Sequence, residues 1–238
     1  MKMKILCVLK SYKKNNFNFS HVLNLKKMCE RYLPGFDFYC LSDMTHDECN
    51  IIPLTDNLPT WWSKIELFKI TGPCLYFDLD MIIKKSIDVK KFLNSEFLCA
   101  KDCFASNVYN TSIMYWKEDM SFLYEEYFSK NTSEKSMWRG DQNFVTAVLN
   151  DKKYRKRFGV NRIPYFQQVL SIGSYKGDIH KLTWGPMHGK TNKINRLPDN
   201  INKEPDDYDI IMFHGHPRPW ELDPNFEKTG LYYYPYWL

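Results

Sequence analysis

Cys74 to Ile83 reads CLYFDLDMII: four apolar residues, two aspartates two positions apart, then a second apolar run. Four consecutive apolar residues bounded by Gly72-Pro73 suit a buried strand. Asp78 and Asp80 then fall where that strand ends, the place where open α/β sheets collect their ligands. Two carboxylates so close repel each other, and a divalent cation relieves the repulsion. Oxygen donors of this kind suit Mg²⁺ or Mn²⁺, with positions left for water and for a ligand's phosphates. With 17 Asp in 238 residues, chance alone supplies about one such pair. Asp207-Tyr208-Asp209 is a second match, but it follows a charged loop. The first pair is embedded in apolar sequence, where unpaired carboxylates would cost several kcal/mol to bury. A strand-end turn carrying two acids is the plainer alternative.

Outward from this stretch the pattern alternates strand and helix. Lys4 to Leu9 (KILCVL) reads as a buried strand, and Phe38 to Leu41 as a second. Between them Ser20 can cap a helix carrying Val22, Leu25, Cys29 and Tyr32, with Pro34-Gly35 as its stop. Trp61 to Ile70 (WWSKIELFKI) predicts an amphipathic helix ended by Gly72-Pro73. Phe97 to Ala100 and Thr111 to Trp116 predict strands, Ser121 to Phe128 and Gln142 to Leu149 helices, and Asp209 to Phe213 a last strand. From Asp151 to Pro205 the pattern loosens into what reads as irregular, substrate-shaping structure. The expectation is an α/β chain with a Rossmann-like, mixed but mostly parallel sheet flanked by helices. It is read as one domain over 1–238, in two halves, 1–100 and 101–238.

Composition narrows the class. A hydrophobic share of 44% permits a sizeable core and excludes a disordered chain. No apolar run reaches eighteen residues, so no membrane-spanning helix is expected, and the N-terminus reads as a strand instead of a signal peptide. A formal charge of +5 favours phosphate-bearing ligands but is too small to announce nucleic-acid binding. The basic run Lys152, Lys153, Arg155, Lys156, Arg157 reads as a solvated surface. Seven cysteines form no CxxC pair and read as reduced thiols of a cytoplasmic protein.

Near the other end, His214-Gly215-His216-Pro217-Arg218-Pro219-Trp220 follows an apolar strand. An imidazole can join carboxylates on Mn²⁺, glycine lets backbone approach an anion, and Arg218 can grip a phosphate with two N–H groups. The tail GLYYYPYWL is dense in aromatics, which stack on sugars or simply pack onto a domain.

Taken in order, ILCVLKS, FYCLSD, WWSKIELFKI, LYFDLDMII, YNTSIMYW, GDQNF and FHGHPRPW resemble the landmarks of GT-A-fold glycosyltransferases, in particular family 8, which includes glycogenin and bacterial lipopolysaccharide galactosyltransferases. The resemblance spans Ile5 to Trp220 and implies a nucleotide-binding half at 1–100 and a sugar- and acceptor-shaping half at 101–238. It implies a metal-dependent hexosyltransferase that moves a sugar from a nucleotide sugar, a UDP-sugar, to an acceptor hydroxyl with retention. It implies that Asp78 and Asp80 hold Mn²⁺ or Mg²⁺ on the donor diphosphate, with Lys64 helping to hold the donor. Asp102 would touch the donor sugar and Asn110 to Ser112 would line its pocket. Asp141 and Gln142 would stand beside the anomeric carbon, although Gly140-Asp141 also fits the start of a helix as a cap. Tyr12, Phe17 or Phe19, near the end of the first strand, would flank the base. The acceptor, whether glycan, lipid-linked or protein, is left open.

The sequence departs from the family at its closing motif, His-x-x-Gly-x-x-Lys-Pro-Trp. Aligning Gly215 and Pro219-Trp220 places Met212 at the histidine and Arg218 at the lysine. A thioether is a poor partner for a hard cation, so His214, two residues on, becomes the candidate third ligand. Two rivals compete: a haloacid-dehalogenase-type phosphatase, which also uses D-x-D after a strand, and a non-catalytic carbohydrate- or nucleic-acid-binding domain on a degenerate scaffold.

Overall fold

The structure, a computed structural model, describes residues 2–12, 17–91, 93–102, 108–155, 169–175, 178–184, 192–194, 209–214 and 218–221. In chain order its strands are β1 (Lys4–Leu9), β2 (Asp37–Ser42), β3 (Asn50–Pro53), β4 (Cys74–Phe77), β5 (Met81–Ile83) and β6 (Phe97–Lys101). They continue as β7 (Tyr109–Trp116), β8 (Val169–Tyr175), β9 (Asp178–Trp184), β10 (Asn192–Ile194) and β11 (Ile210–His214). The helices are α1 (Phe19–Tyr32), α2 (Ser121–Ser129), α3 (Thr132–Ser136), α4 (Asp141–Asn150) and α5 (Lys152–Arg155), with 3₁₀ turns at Thr60–Lys69, Val89–Lys91 and Pro219–Glu221.

The chain forms two compact units, each drawn from separate segments. The first comprises Met1–Leu23, Phe36–Leu79 and Asp88–Phe166; the second comprises Asn24–Gly35, Asp80–Ile87 and Gln167–Leu238.

The first unit holds a six-stranded sheet in the order β3-β2-β1-β4-β7-β6. β1 to β4 run parallel, while β7 is antiparallel to both β4 and β6. This is the mixed, mainly parallel α/β sheet that the alternating pattern predicts. From β1 the chain steps outward to β2 and β3, then returns to place β4 on β1's other side. The carboxyl ends of β1 and β4 therefore flank a topological switch point. Leu6, Tyr76, Met114, Trp116, Phe68, Leu123, Phe144 and Val145 belong to one buried apolar cluster in this unit. Cys7, Cys40, Cys74 and Cys99 sit buried on its strands as small apolar filler.

The register of β7 is asymmetric. Against β4 it runs without interruption, from Cys74 opposite Trp116 to Phe77 opposite Ile113. Against β6 it jumps: Cys99 faces Met114, but Ala100 faces Asn110. Thr111, Ser112 and Ile113 are extra residues on that side, a bulge of the kind that redirects side chains beside functional sites.

The second unit holds a five-stranded sheet in the order β10-β9-β8-β11-β5, with β8 and β11 parallel and the other pairs antiparallel. β5, the run that follows the two aspartates, pairs with β11 so that Met81 faces Met212. Met212 is buried.

Three expectations change. Asn18, not Ser20, caps α1: its side-chain oxygen accepts the Ser20 N–H at 2.9 Å, and Ser20 lies inside the first turn. At the other end Gly35 adopts φ +88°, the left-handed conformation that stops a helix. Thr60–Lys69 is a 3₁₀ helix where an α-helix was expected. Trp62, Ile65 and Phe68 repeat every three residues, the period of that tighter turn. Finally, the stretch after Asp151 is not wholly irregular, since it contributes α5 and the strands β8, β9 and β10.

Candidate active site at the carboxyl end of β4

Asp78 follows β4 directly, and its backbone N–H donates to Ser112 O at 2.8 Å. Because β7 runs against β4, the beginning of β7 lies at the carboxyl end of β4. Asn110, Thr111 and Ser112 are thereby brought beside Asp78. Asn110 turns its side-chain oxygen onto the Ser112 N–H at 2.8 Å, which stiffens the segment.

Lys64, from the 3₁₀ helix, joins two acids that are far apart in sequence. Its ammonium lies 2.7 Å from Asp78 Oδ1 and 3.5 Å from Asp141 Oδ2. Burial pulls the lysine's pKa down, but the Asp141 and Asp78 carboxylates outweigh it, and the group lies above the ordinary lysine value. Tyr76, two residues before Asp78 and on the same strand face, donates its hydroxyl to Asp78 Oδ1. Burial first, then the Asp78 charge, pushes that phenol well above its usual value, so it stays a donor. Thr111 Oγ1 donates to Asp141 Oδ2 at 2.6 Å.

Asp141 opens α4, but its carboxylate is not a cap; Gly140 holds the capping position without a side-chain bond. The carboxylate is used by Lys64 and Thr111, while its charge still sits favourably at a helix N-terminus. Gln142, next on α4, donates its amide N–H to Asp102 Oδ2 at 3.3 Å. Asp102, Asn110 and Asp141 are all buried. Lys64, Asp78, Asp102, Asn110, Ser112, Asp141 and Gln142 all belong to the first unit, where these contacts link Lys64, Asp78 and Asp141, Asn110 with Ser112, and Asp102 with Gln142. Tyr76 is an addition that sequence reasoning missed; the signal was its placement two before Asp78. Thr111 lies inside the Asn110–Ser112 segment expected to line the pocket, but its bond to Asp141 was not foreseen.

At the carboxyl end of β1, Lys10 lies 2.9 Å from Asp43, and Ser11 donates both its N–H and its hydroxyl to the same carboxylate. Burial raises the Asp43 pKa, but the Ser11 bonds and Lys10 carry it below the ordinary carboxylate value. Of the three aromatics proposed beside a base, Tyr12 is 48% exposed, Phe17 packs on His21 and Phe19 on His46.

In the second unit Asp80 is buried and accepts from Arg218 Nη1. Gly215, His216 and Pro217 lie outside the described residues, as do the side chain of His214, the tail 222–238, and Lys156 and Arg157 of the basic run. Among the described residues no group of three or more His, Cys, Asp or Glu stands ready for a metal ion. The chemistry of Asp78 and Asp80, hard oxygen donors with no thiol among them, fits Mg²⁺ or Mn²⁺ better than a softer ion. Each is at present neutralised by a cation of the protein, Lys64 for Asp78 and Arg218 for Asp80.

No protein-family model and no curated protein matches the sequence. Solved structures do. The galactosyltransferase LgtC, in complex with donor and acceptor sugar analogs, superposes with a TM-score of 0.54 at 12% identity, over 95% of this chain and 92% of that one. The apo form of the glycosyltransferase GlyE from Streptococcus pneumoniae TIGR4 gives a TM-score of 0.51 at 12% identity, over 70% of this chain and 45% of GlyE. The chain thus matches less than half of GlyE's length. The strand order, the acids at the end of β4 and these superpositions lead to one statement: the chain has the GT-A glycosyltransferase fold.

Proposed function

We propose that this protein is a metal-dependent glycosyltransferase that moves a hexosyl group from a UDP-sugar to an acceptor hydroxyl, with retention at the anomeric carbon. The observation that carries the reading is Lys64 bridging Asp78 and Asp141 at the switch point of a GT-A sheet. Such a cluster of opposed charges at a strand end is built to exchange partners with a charged ligand.

Asp78 and Asp80 would hold Mn²⁺ or Mg²⁺, with His214 as the candidate third ligand; when bound, the ion supplies positive charge beside the donor diphosphate. Lys64 and Arg218, each resting on a carboxylate, can transfer their hydrogen bonds to phosphate oxygens as the leaving group gains charge. Asp102, fixed by the Gln142 amide, accepts from a donor-sugar hydroxyl and so sets the orientation of the ring. That bond uses Gln142's N–H and leaves its carbonyl oxygen for the developing positive charge at the anomeric carbon. Asp141, held by Thr111, would stand beside the anomeric carbon. Asn110 and Ser112 would line the sugar pocket, and Gly215 is, on the sequence alone, a candidate for contact with the phosphates. In the reaction the anomeric C–O bond to the diphosphate breaks, a C–O bond to the acceptor forms, and the acceptor's proton passes to a diphosphate oxygen.

The test is a Mn²⁺-dependent screen of nucleotide sugars for hydrolysis, with Asp80→Asn as control. Hydrolysis of a UDP-sugar by the wild type and its loss in the variant support the reading. Equal turnover by both removes the metal site, and phosphate release from a monoester in place of sugar release favours the phosphatase rival.

A further inference from the structure

The carboxyl end of β1 carries a second charged assembly, and the reaction described above gives it no part. Lys10 stands there, only 12% exposed. Its ammonium lies 2.9 Å from Asp43 Oδ2 and donates to Asn57 Oδ1 at 3.2 Å. A lysine at a strand end ordinarily samples several rotamers, and holding it in one costs entropy. Here two acceptors hold it. An ammonium has three N–H groups. One is left over, and it meets no acceptor among the described residues.

Asn57 reaches Lys10 from a turn whose backbone is strained. Asn57 and Thr60 both take φ +48°, the left-handed region, and for a β-branched threonine that is an outlier. Such conformations persist where neighbouring contacts impose them. Glu66 fastens the residues that lead into this turn. It is buried, and it lies on the same 3₁₀ helix as Lys64. Its carboxylate accepts from the Thr55 N–H at 2.8 Å, the Thr55 hydroxyl at 3.1 Å and the Asp56 N–H at 3.1 Å. Lys69, one turn further on, binds Glu66 at 3.0 Å and Asp56 at 2.6 Å. One helix thus sets Lys64 at the end of β4 and, through residues 55–57, Lys10 at the end of β1.

A bare ammonium at this place would attract a phosphate. Lys10 is not bare. Burial raises the Asp43 pKa, but the Ser11 hydrogen bonds and Lys10 carry it below the ordinary value, so the acid stays charged. The pair is neutral overall, and a phosphate beside Lys10 would also meet the Asp43 carboxylate. The spare N–H suits a neutral oxygen instead, a base carbonyl or a ribose hydroxyl. The acids after β4 are assigned to the diphosphate, which leaves the β1 side of the switch point to the nucleoside.

We propose that Lys10 is a specificity-determining contact to the donor's nucleoside, donating to a neutral oxygen there, and that Asn57 is the positioning residue that aims it. The inference rests on the nucleotide-sugar reading above and adds a recognition residue to the same site.

The test is isothermal titration calorimetry of UDP and of inorganic pyrophosphate, each with Mn²⁺. Lys10→Met should weaken UDP about tenfold and leave pyrophosphate unchanged. Asn57→Gly keeps the left-handed backbone and deletes the amide; it should weaken UDP about threefold with little change in melting temperature. Asn57→Asp, which restores an acceptor oxygen and tolerates that backbone, should bind UDP as the wild type does. The probe 2′,3′-dideoxy-UDP locates the oxygen: a Lys10→Met loss that persists places it on the base, and one that vanishes places it on the ribose. Undiminished UDP affinity in Lys10→Met refutes the contact, and equal losses for UDP and pyrophosphate refute its nucleoside character. Wild-type affinity in Asn57→Gly refutes the positioning role. If the wild type does not bind UDP at all, the nucleotide-sugar reading itself falls, and this inference with it.

Discussion

The Lys64 ammonium lies 2.7 Å from Asp78 Oδ1 and 3.0 Å from Oδ2, so a residue of the 3₁₀ helix holds the acid that ends β4. The same ammonium reaches Asp141 on α4. Removing the charge while keeping the aliphatic stem, as in Lys64→Met, leaves two carboxylates without their common cation. The side chain is only 15% exposed, so water compensates poorly. The variant should lose about 3 kcal/mol of stability in urea denaturation. It should also lose about 100-fold in nucleotide-sugar hydrolysis. Wild-type stability in Lys64→Met would show that the bridge contributes nothing to the fold.

Thr111→Val tests the support beneath Asp141. Valine has nearly the shape of threonine but lacks the hydroxyl that donates at 2.6 Å. Both residues are buried, and the lost bond leaves a carboxylate oxygen short of a donor. A cost of about 1–3 kcal/mol is expected from chemical denaturation. Turnover should fall more than the maximum rate of refolding does, because Asp141 loses its orientation.

Phe144 is the hub of an aromatic group. Its ring meets Trp138 at 4.9 Å, Tyr127 at 5.4 Å and Trp62 at 6.5 Å. Phe144→Ala should cost about 3–5 kcal/mol. Because Phe144 lies one turn along α4 from Asp141 and Gln142, residual folded protein should also show weaker UDP-dependent stabilisation. A thermal-shift series with and without UDP and Mn²⁺ reads both effects.

Glu126 on α2 collects Lys153 Nζ at 2.8 Å, the Tyr154 hydroxyl and Lys130 Nζ at 3.6 Å. The hydrogen bonds from Lys153 and Tyr154 hold its carboxyl below the ordinary value of 4.5 despite partial burial. A depressed carboxylate stabilises the fold above its unfolded pKa, and that contribution disappears as pH falls through the lower folded value. Stability should therefore decline below about pH 4.5 more steeply in the wild type than in Glu126→Gln. Urea midpoints between neutral and acidic pH measure the difference; parallel curves would deny Glu126 this role.

Much of the first sheet was legible because its strands are short apolar runs between turn residues; KILCVL and CLYF could hardly be anything else. The acids after β4 were legible for the same reason, since charge is conspicuous inside apolar sequence. The 3₁₀ helix was harder. Its spacing of three approximates the helical 3.6 over ten residues, and the difference shows only in which residues eclipse. The partners of the acids were harder still. Tyr76 and Thr111 look like ordinary strand residues, and only the antiparallel return of β7 brings Thr111 to the end of β4, where it meets Asp141 of α4. In the second unit β8 and β9 contain glycine, serine, histidine and lysine among their apolar residues, so their strand character depends on pairing that no local pattern announces.

The bulge of β7 makes one short segment serve two neighbours. Ile113 pairs with Phe77 and the Ser112 carbonyl accepts the Asp78 N–H, so the residues that are surplus against β6 belong to the seam with β4. Thr111 rides on the same segment to reach Asp141. Excising the three would therefore remove a core residue, a strand contact and the threonine in one stroke, which ties the integrity of the sheet to that of the charged cluster.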